Sequence, residues 1–251
     1  MYGRGYGSSG LGFGPPFTPP IIINLMIANA AVFVLQVVMQ HGFDAIASVT
    51  PILVWQHGFL WQPFTYMWLH GNLLHLFFNM VTLWMFGSTL AMAWGAQRFL
   101  RFYLLCGVGA GFVIATVPYL FYAIGFGGSI RIPTLGASGA IYGVVLAYSL
   151  TWPDRTIALL FPPVVFRAIW MIPVFFLMNL MAGGNVSHVG HLGGVLVGWL
   201  YMRSRGDAAA HQISWSQLKF RLKRWQMRRK LRSVQYQQWE ERRRENDRRY
   251  H

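Results

Sequence analysis

Five polar side chains in this sequence, one serine, three histidines and an asparagine, are candidates for chemistry. Ser138 sits in Gly136-Ala137-Ser138-Gly139, and His191 in Gly190-His191-Leu192-Gly193-Gly194. A histidine beside a serine takes the hydroxyl proton as general base and turns a weak nucleophile into an effective one. His70, His75 and Asn79 supply further polar groups. His75 and Asn79 are four residues apart, so on a helix they share a face. Side chains of that kind, with backbone N–H groups at a helix start, can form an oxyanion hole. Taken alone, the serine motif reads as ordinary packing, because Gly, Ala and Ser are the usual small residues of membrane-helix contacts. Four histidines (His70, His75, His188, His191) and Asn79, all near the ends of apolar stretches, are harder to explain as packing. Polar groups in a membrane are costly and usually functional.

The elements that carry these residues follow from the apolar pattern. The run that opens at Ser138 reaches only to about Trp152, roughly 22 Å of helix. A bilayer core is about 30 Å thick and needs about 20 residues. The Ser138 helix is therefore short. Its start should lie roughly 8 Å below one membrane surface, reached by the Gly-rich loop Gly125–Leu135. This fourth helix carries a small-residue ridge at Gly139, Gly143 and Ala147. The sixth carries one at Gly190, Gly194 and Gly198. Each ridge lies on one face and lets another backbone approach closely. Ser138 precedes its ridge by one residue and His191 follows the first glycine of its own. Packing the ridges together would bring serine and histidine to one depth.

Composition sets the class. Of 251 residues, 55% are hydrophobic and 11% charged, far from the roughly 25% charged of a soluble domain. Spans are expected at about 21–40, 72–92, 102–124, 167–182 and 188–202, with the short helix at 138–152 between the third and fifth. The expected class is an all-α membrane protein, a six-helix bundle with a short central fourth helix. Residues 41–70 form a long connection, rich in Trp, Phe and Tyr suited to the headgroup interface. Residues 156–166, with Pro162-Pro163, read as a non-spanning connection along that interface. Gly183-Gly184-Asn185 reads as a tight turn. Residues 1–20 read as a disordered tail, without the apolar core and cleavage site of a signal peptide. Six spans put Arg98, Arg101, Arg155, Arg167 and the C-terminal tail on one side, with only Arg131 opposite. The positive-inside rule then makes both termini cytoplasmic. The expected home is a cell (inner or plasma) membrane, with the active site open to the outer side.

In order along the chain, the motifs are His70-Gly71-(3)-His75-(3)-Asn79, Gly136-Ala137-Ser138-Gly139 and Gly190-His191-Leu192-Gly193-Gly194-(3)-Gly198. On these the chain resembles the rhomboid intramembrane serine proteases, in the six-helix bacterial form, over roughly residues 20–203. The resemblance implies Ser138 as nucleophile and His191 as general base. It implies His75, Asn79 and the Ser138 amide as oxyanion ligands, Tyr142 as a ring stacked on the histidine, and His70 as an organiser of the outer loop. It implies membrane-anchored protein substrates, cleaved in or beside a transmembrane segment, and no cofactor or metal. One position departs: Trp61-Gln62 stands where many members have Trp-Arg, which puts the loop's anchoring in question.

No third, acidic member is expected for the dyad. Before residue 203 the only carboxylates are Asp44 and Asp154. Asp154 lies 16 residues past Ser138, roughly 24 Å along the helix. Residues 203–251 hold 15 of the 21 Lys+Arg and 5 of the 7 Asp+Glu. Trp215, Leu218, Leu222 and Trp225 recur at helical spacing there. Residues 204–251 read either as a basic amphipathic helix on anionic lipid or as a solvated, topology-setting tail; nucleic acid is not an expected partner. Rival functions are a non-catalytic, rhomboid-like binder of membrane proteins, a haem or metal protein built on the histidines, and a transporter or channel. The last leaves the setting of Ser138 unexplained.

Overall fold

A computed structural model describes residues 14–39, 41–127, 129–159, 163–182 and 187–205, together with Met227. The expected disordered segment up to residue 13, the turn at 183–185 and, Met227 apart, the basic tail from residue 206 lie outside the described residues.

The first helix, α1 (Pro20–Met39), begins on a proline, which costs nothing where the N–H has no helical partner. The connection that follows is folded into α2 (His41–Ala47), α3 (Pro51–Gln56), α4 (Gln62–Thr65) and a 3-10 turn at Tyr66–Trp68. Trp55, Trp61 and Phe64 are exposed there, as an interfacial belt requires. Tyr66 and Met67 are not part of such a belt. Both are buried, and the Tyr66 hydroxyl donates to the Gly107 carbonyl at 2.8 Å.

Residues Leu73–Trp94 form one apolar helix in three parts: α5 (Leu73–Thr82), a π-helical stretch at Leu83–Gly87 and α6 (Ser88–Trp94). Gly95, at φ +83°, turns the chain into α7 (Ala96–Ala123), 28 residues long. Pro20–Met39, Leu73–Trp94 and Ala96–Ala123 are long and apolar enough to cross a membrane. Three further helices, α8 (Ser138–Thr151), α9 (Met171–Ala182) and α10 (His188–Ser204), have 14, 12 and 17 residues, short of the roughly 20 that a straight span needs.

At the centre lies α8. Every residue from Gly139 to Leu150 is buried, with α7 and α10 packed against it. It has no charged residue and no polar stripe, which suits a helix surrounded by other helices.

The stretch expected as a non-spanning connection carries a hairpin, so the chain is mostly helical rather than all-α. Strand β1 (Thr156–Leu159) pairs antiparallel with β2 (Val164–Arg167), Thr156 opposite Arg167 and Leu159 opposite Val164. Thr156, Ile157, Val164 and Val165 are β-branched and favour the extended backbone. An exposed Arg167–Asp154 ion pair at 3.3 Å lies at the hairpin base, a contact of small energetic weight at such exposure.

Candidate active site

Glycines decide how close the two key helices come. A Cβ on Gly194 would collide with the Gly139 carbonyl, and one on Gly198 would lie 3.2 Å from Gly143 Cα. The two ridges read from the sequence therefore face each other at backbone contact. Ser138 is the first residue of α8 and His191 the fourth of α10, whose start is capped by the Ser187 hydroxyl accepting from the Gly190 N–H at 3.2 Å. This packing leaves His191 Nε2 2.9 Å from Ser138 Oγ, with His191 buried and Ser138 half-buried.

A third element brings the other polar groups. Asn72 caps α5, its side-chain oxygen accepting from the His75 N–H at 2.8 Å. His75 Nδ1 accepts from the Gly71 N–H at 3.4 Å, which leaves the neutral ring with its proton on Nε2. That ring lies against Gly136: a Cβ there would be 3.0 Å from His75 Nε2 and 3.7 Å from Ser138 Oγ. Gly136 has φ +128°, a backbone state that other residues rarely adopt. It therefore serves both as the bend into α8 and as the gap that admits His75. One turn along α5, Asn79 is buried, and its Nδ2 has no hydrogen-bond partner among the described residues. A buried donor left unpaired costs about 1–3 kcal/mol.

On the other side of the dyad, the Tyr142 ring stacks on the His191 ring, centroids 4.1 Å apart and planes within 15°. Phe176 meets both rings edge-on, at 5.2 and 6.1 Å. His191 Nδ1 has no hydrogen-bond partner among the described residues, carboxylates included. Asp154 is engaged with Arg167 instead. The imidazole is thus met by a stacked ring and, among the described residues, by no carboxylate. His188 lies 6.5 Å from His191, ring to ring, and takes no part in the Ser138 contact. No group of three His, Cys, Asp or Glu residues among the described ones could hold a metal ion.

The departure at Gln62 is resolved by two uncharged hydrogen bonds. Gln62 is fully buried; its Oε1 accepts from the Thr50 N–H at 3.0 Å and its Nε2 donates to the Ile46 carbonyl at 3.2 Å. Trp61 Nε1 donates to the same carbonyl at 3.1 Å, and Thr65 Oγ1 to the Ala47 carbonyl at 2.7 Å. The loop is then tied to the segment before Ser138 by a bridge between Val49 and Thr134, and by the Gly136 N–H donating to the Tyr66 carbonyl at 3.0 Å. His70 is buried beneath this assembly, 5.2 Å ring to ring from His75. Burial, with His75 adding to it, pushes the His70 pKa down to about 4, so the ring stays neutral. The Gln36 side chain clamps the His70 backbone at both N–H and C=O, at 3.0 Å each. Gln36, and Asn179, whose Nδ2 donates to Tyr142 Oη at 2.6 Å, escaped the sequence reading. Both are polar residues inside apolar runs, and that signal could have singled them out.

A model of the Rhomboid domain matches residues 57–206. The chain is 30% identical over 188 residues to "RHOMBOID-like protein 12, mitochondrial" of Arabidopsis thaliana, covering 70% of this chain and 56% of that one. It is 33% identical over 137 residues to "Rhomboid protein 1, mitochondrial" of Saccharomyces cerevisiae, covering 53% and 38%. It is 31% identical over 161 residues to "Presenilin-associated rhomboid-like protein, mitochondrial" of Mus musculus, covering 62% and 40%. The chain thus spans about half or less of the length of these curated relatives. Their names also correct the expected location. A cell (inner or plasma) membrane with cytoplasmic termini does not agree with relatives that are all called mitochondrial. The charge pattern failed here for a physical reason: it orients a chain in a bilayer and carries nothing about which bilayer.

Proposed function

The chain belongs to the rhomboid family, and we propose that it is an intramembrane serine endopeptidase working with a Ser138–His191 dyad. The observation that carries this reading is the 2.9 Å contact between His191 Nε2 and Ser138 Oγ, at the first residue of a buried helix. In the proposed reaction Ser138 Oγ attacks the carbonyl carbon of the scissile peptide bond while His191 Nε2 takes the hydroxyl proton. The oxyanion that forms is met by the Ser138 N–H, free at the helix start, and by His75 Nε2–H and Asn79 Nδ2–H. Collapse of the tetrahedral species breaks the C–N bond, and the leaving amine takes the proton from His191. Water, with His191 again as base, then releases the acyl group from Ser138.

The substrates in this proposal are membrane-anchored proteins cut in or beside a membrane segment. The catalytic unit is a bundle of six membrane helices over residues 21–203, in which α8, α9 and α10 join the three longer ones. The host bilayer is a mitochondrial membrane, as the names of the relatives suggest. The basic segment 204–251 would contact anionic lipid. The test is cleavage of a single-span model substrate by the detergent-purified protein and by Ser138→Ala. The proposal requires cleavage by the first and none by the second. Binding without cleavage by the wild-type chain would instead make it a non-catalytic binder of membrane proteins.

A further inference from the structure

Among the described helices, α9 packs mainly on α8, and much of it faces outward, with Leu177, Leu180 and Met181 exposed. Among its twelve residues, Met-Ile-Pro-Val-Phe-Phe-Leu-Met-Asn-Leu-Met-Ala, Asn179 is the one polar side chain. Its amide nitrogen has two hydrogens, and both are used. One goes to the Phe175 carbonyl of its own helix at 2.8 Å, the other across to Tyr142 Oη at 2.6 Å. That second bond holds the far end of the ring whose face lies 4.1 Å from His191.

We propose that Asn179 is a positioning residue for the dyad, fixing the His191 imidazole through the Tyr142 ring. The proposal rests on the reading of Ser138 and His191 as the catalytic pair. His191 Nδ1 has no hydrogen-bond partner among the described residues, so the Tyr142 face does the work that a buried carboxylate does in a triad. The face must also stay parallel during the reaction. When Nε2 takes the serine proton the imidazole becomes a cation, and an aromatic face attracts a cation only when the two are aligned. A tyrosine hinged only at Cβ can tilt; one bonded at its hydroxyl to a neighbouring helix is held at both ends.

A double-mutant cycle on the full chain in detergent tests this, with Asn179→Leu, Tyr142→Phe and the double variant. Tyr142→Phe keeps the ring and removes the acceptor; Asn179→Leu keeps the bulk and removes the donor. Interhelical hydrogen bonds of this kind predict a fall in kcat of roughly 3- to 20-fold for each single variant, with KM unchanged. The double variant should be no slower than the slower single, because each change breaks the same bond. Wild-type kcat in Asn179→Leu, or losses that multiply in the double variant, would overturn the proposal. If the wild-type chain cuts no substrate, the protease reading falls by itself. The hydrogen bond is then read from the imidazole nitrogen-15 signals of His191. These should shift in Asn179→Leu and in Tyr142→Phe but not in the outward-facing control Leu177→Ala. Signals unmoved by Asn179→Leu would overturn it.

Discussion

The buried helix α8 meets α10 through backbone and α9 through rings. On the α10 side, Gly139, Gly143, Gly194 and Gly198 remove the side chains that would hold the helices apart. On the α9 side, Tyr142, Phe175 and Phe176 interlock, and among the described residues the Asn179–Tyr142 hydrogen bond crosses between the helices. The two faces divide one task. Close backbone packing sets the Ser138–His191 distance, which no flexible side chain could hold as firmly. Ring stacking, in the proposed mechanism, sets the angle of the imidazole. Neither face uses a charge, and the Arg167–Asp154 pair lies past the far end of α8.

The division is most easily broken on the glycine side. Gly194→Ala places a methyl group against the Gly139 carbonyl, a backbone atom that cannot rotate away. Overpacking of this sort costs about 1–3 kcal/mol or more. The expected outcome is a lower thermal unfolding temperature in detergent together with the largest loss of cleavage in this series. Normal unfolding and normal cleavage would show that the ridges do not set the dyad distance. Asn79→Ala, on the third side of the site, removes a donor without touching either face. A fall in kcat of about 10²-fold is expected, since loss of one oxyanion donor typically costs about 10²–10³. The unfolding temperature should hold, because the lost Nδ2 has no hydrogen-bond partner among the described residues. Tyr142→Ala removes the stacked ring itself, and a loss of about 10- to 30-fold is expected from the cation–π contribution alone. An effect no larger than that of Tyr142→Phe would mean the ring face is idle.

The smallest effect sharpens the comparison. Asp44→Asn and Asp154→Asn should each leave cleavage within about 3-fold of wild type, against the roughly 10⁴-fold drop when a triad loses its acid. Loss of several orders of magnitude in either, with folding intact, would put an acid in the site.

Part of this arrangement was legible from spacing, while the Tyr142 stacking and the roles came from the family resemblance. Glycines at i, i+4 and i+8 on two apolar helices define facing ridges, and Ser138 and His191 are offset from them by one residue each. The pairing of His75 with Asn79 followed from the same period. What was not legible depended on partners distant in sequence. Nothing local to Gln62 announces that Thr50 and Ile46 complete it, and nothing local to Asn179 points to Tyr142, 37 residues earlier. The 156–167 hairpin was missed because a short apolar run holding prolines has no period long enough to separate strand from connection. The π-helical stretch at Leu83–Gly87 likewise leaves no mark on an evenly apolar sequence. The membrane itself was misread, because basic residues report a side and not an organelle.

Labelling of the nucleophile tests the proposed dyad most directly. A serine-directed fluorophosphonate is added to the full chain in detergent, and the modified residue is identified by peptide mass spectrometry. The expected result is one adduct, on Ser138, absent in Ser138→Ala and sharply reduced in His191→Ala. Labelling of equal strength in Ser138→Ala, or an adduct on any other serine in its place, would contradict the dyad.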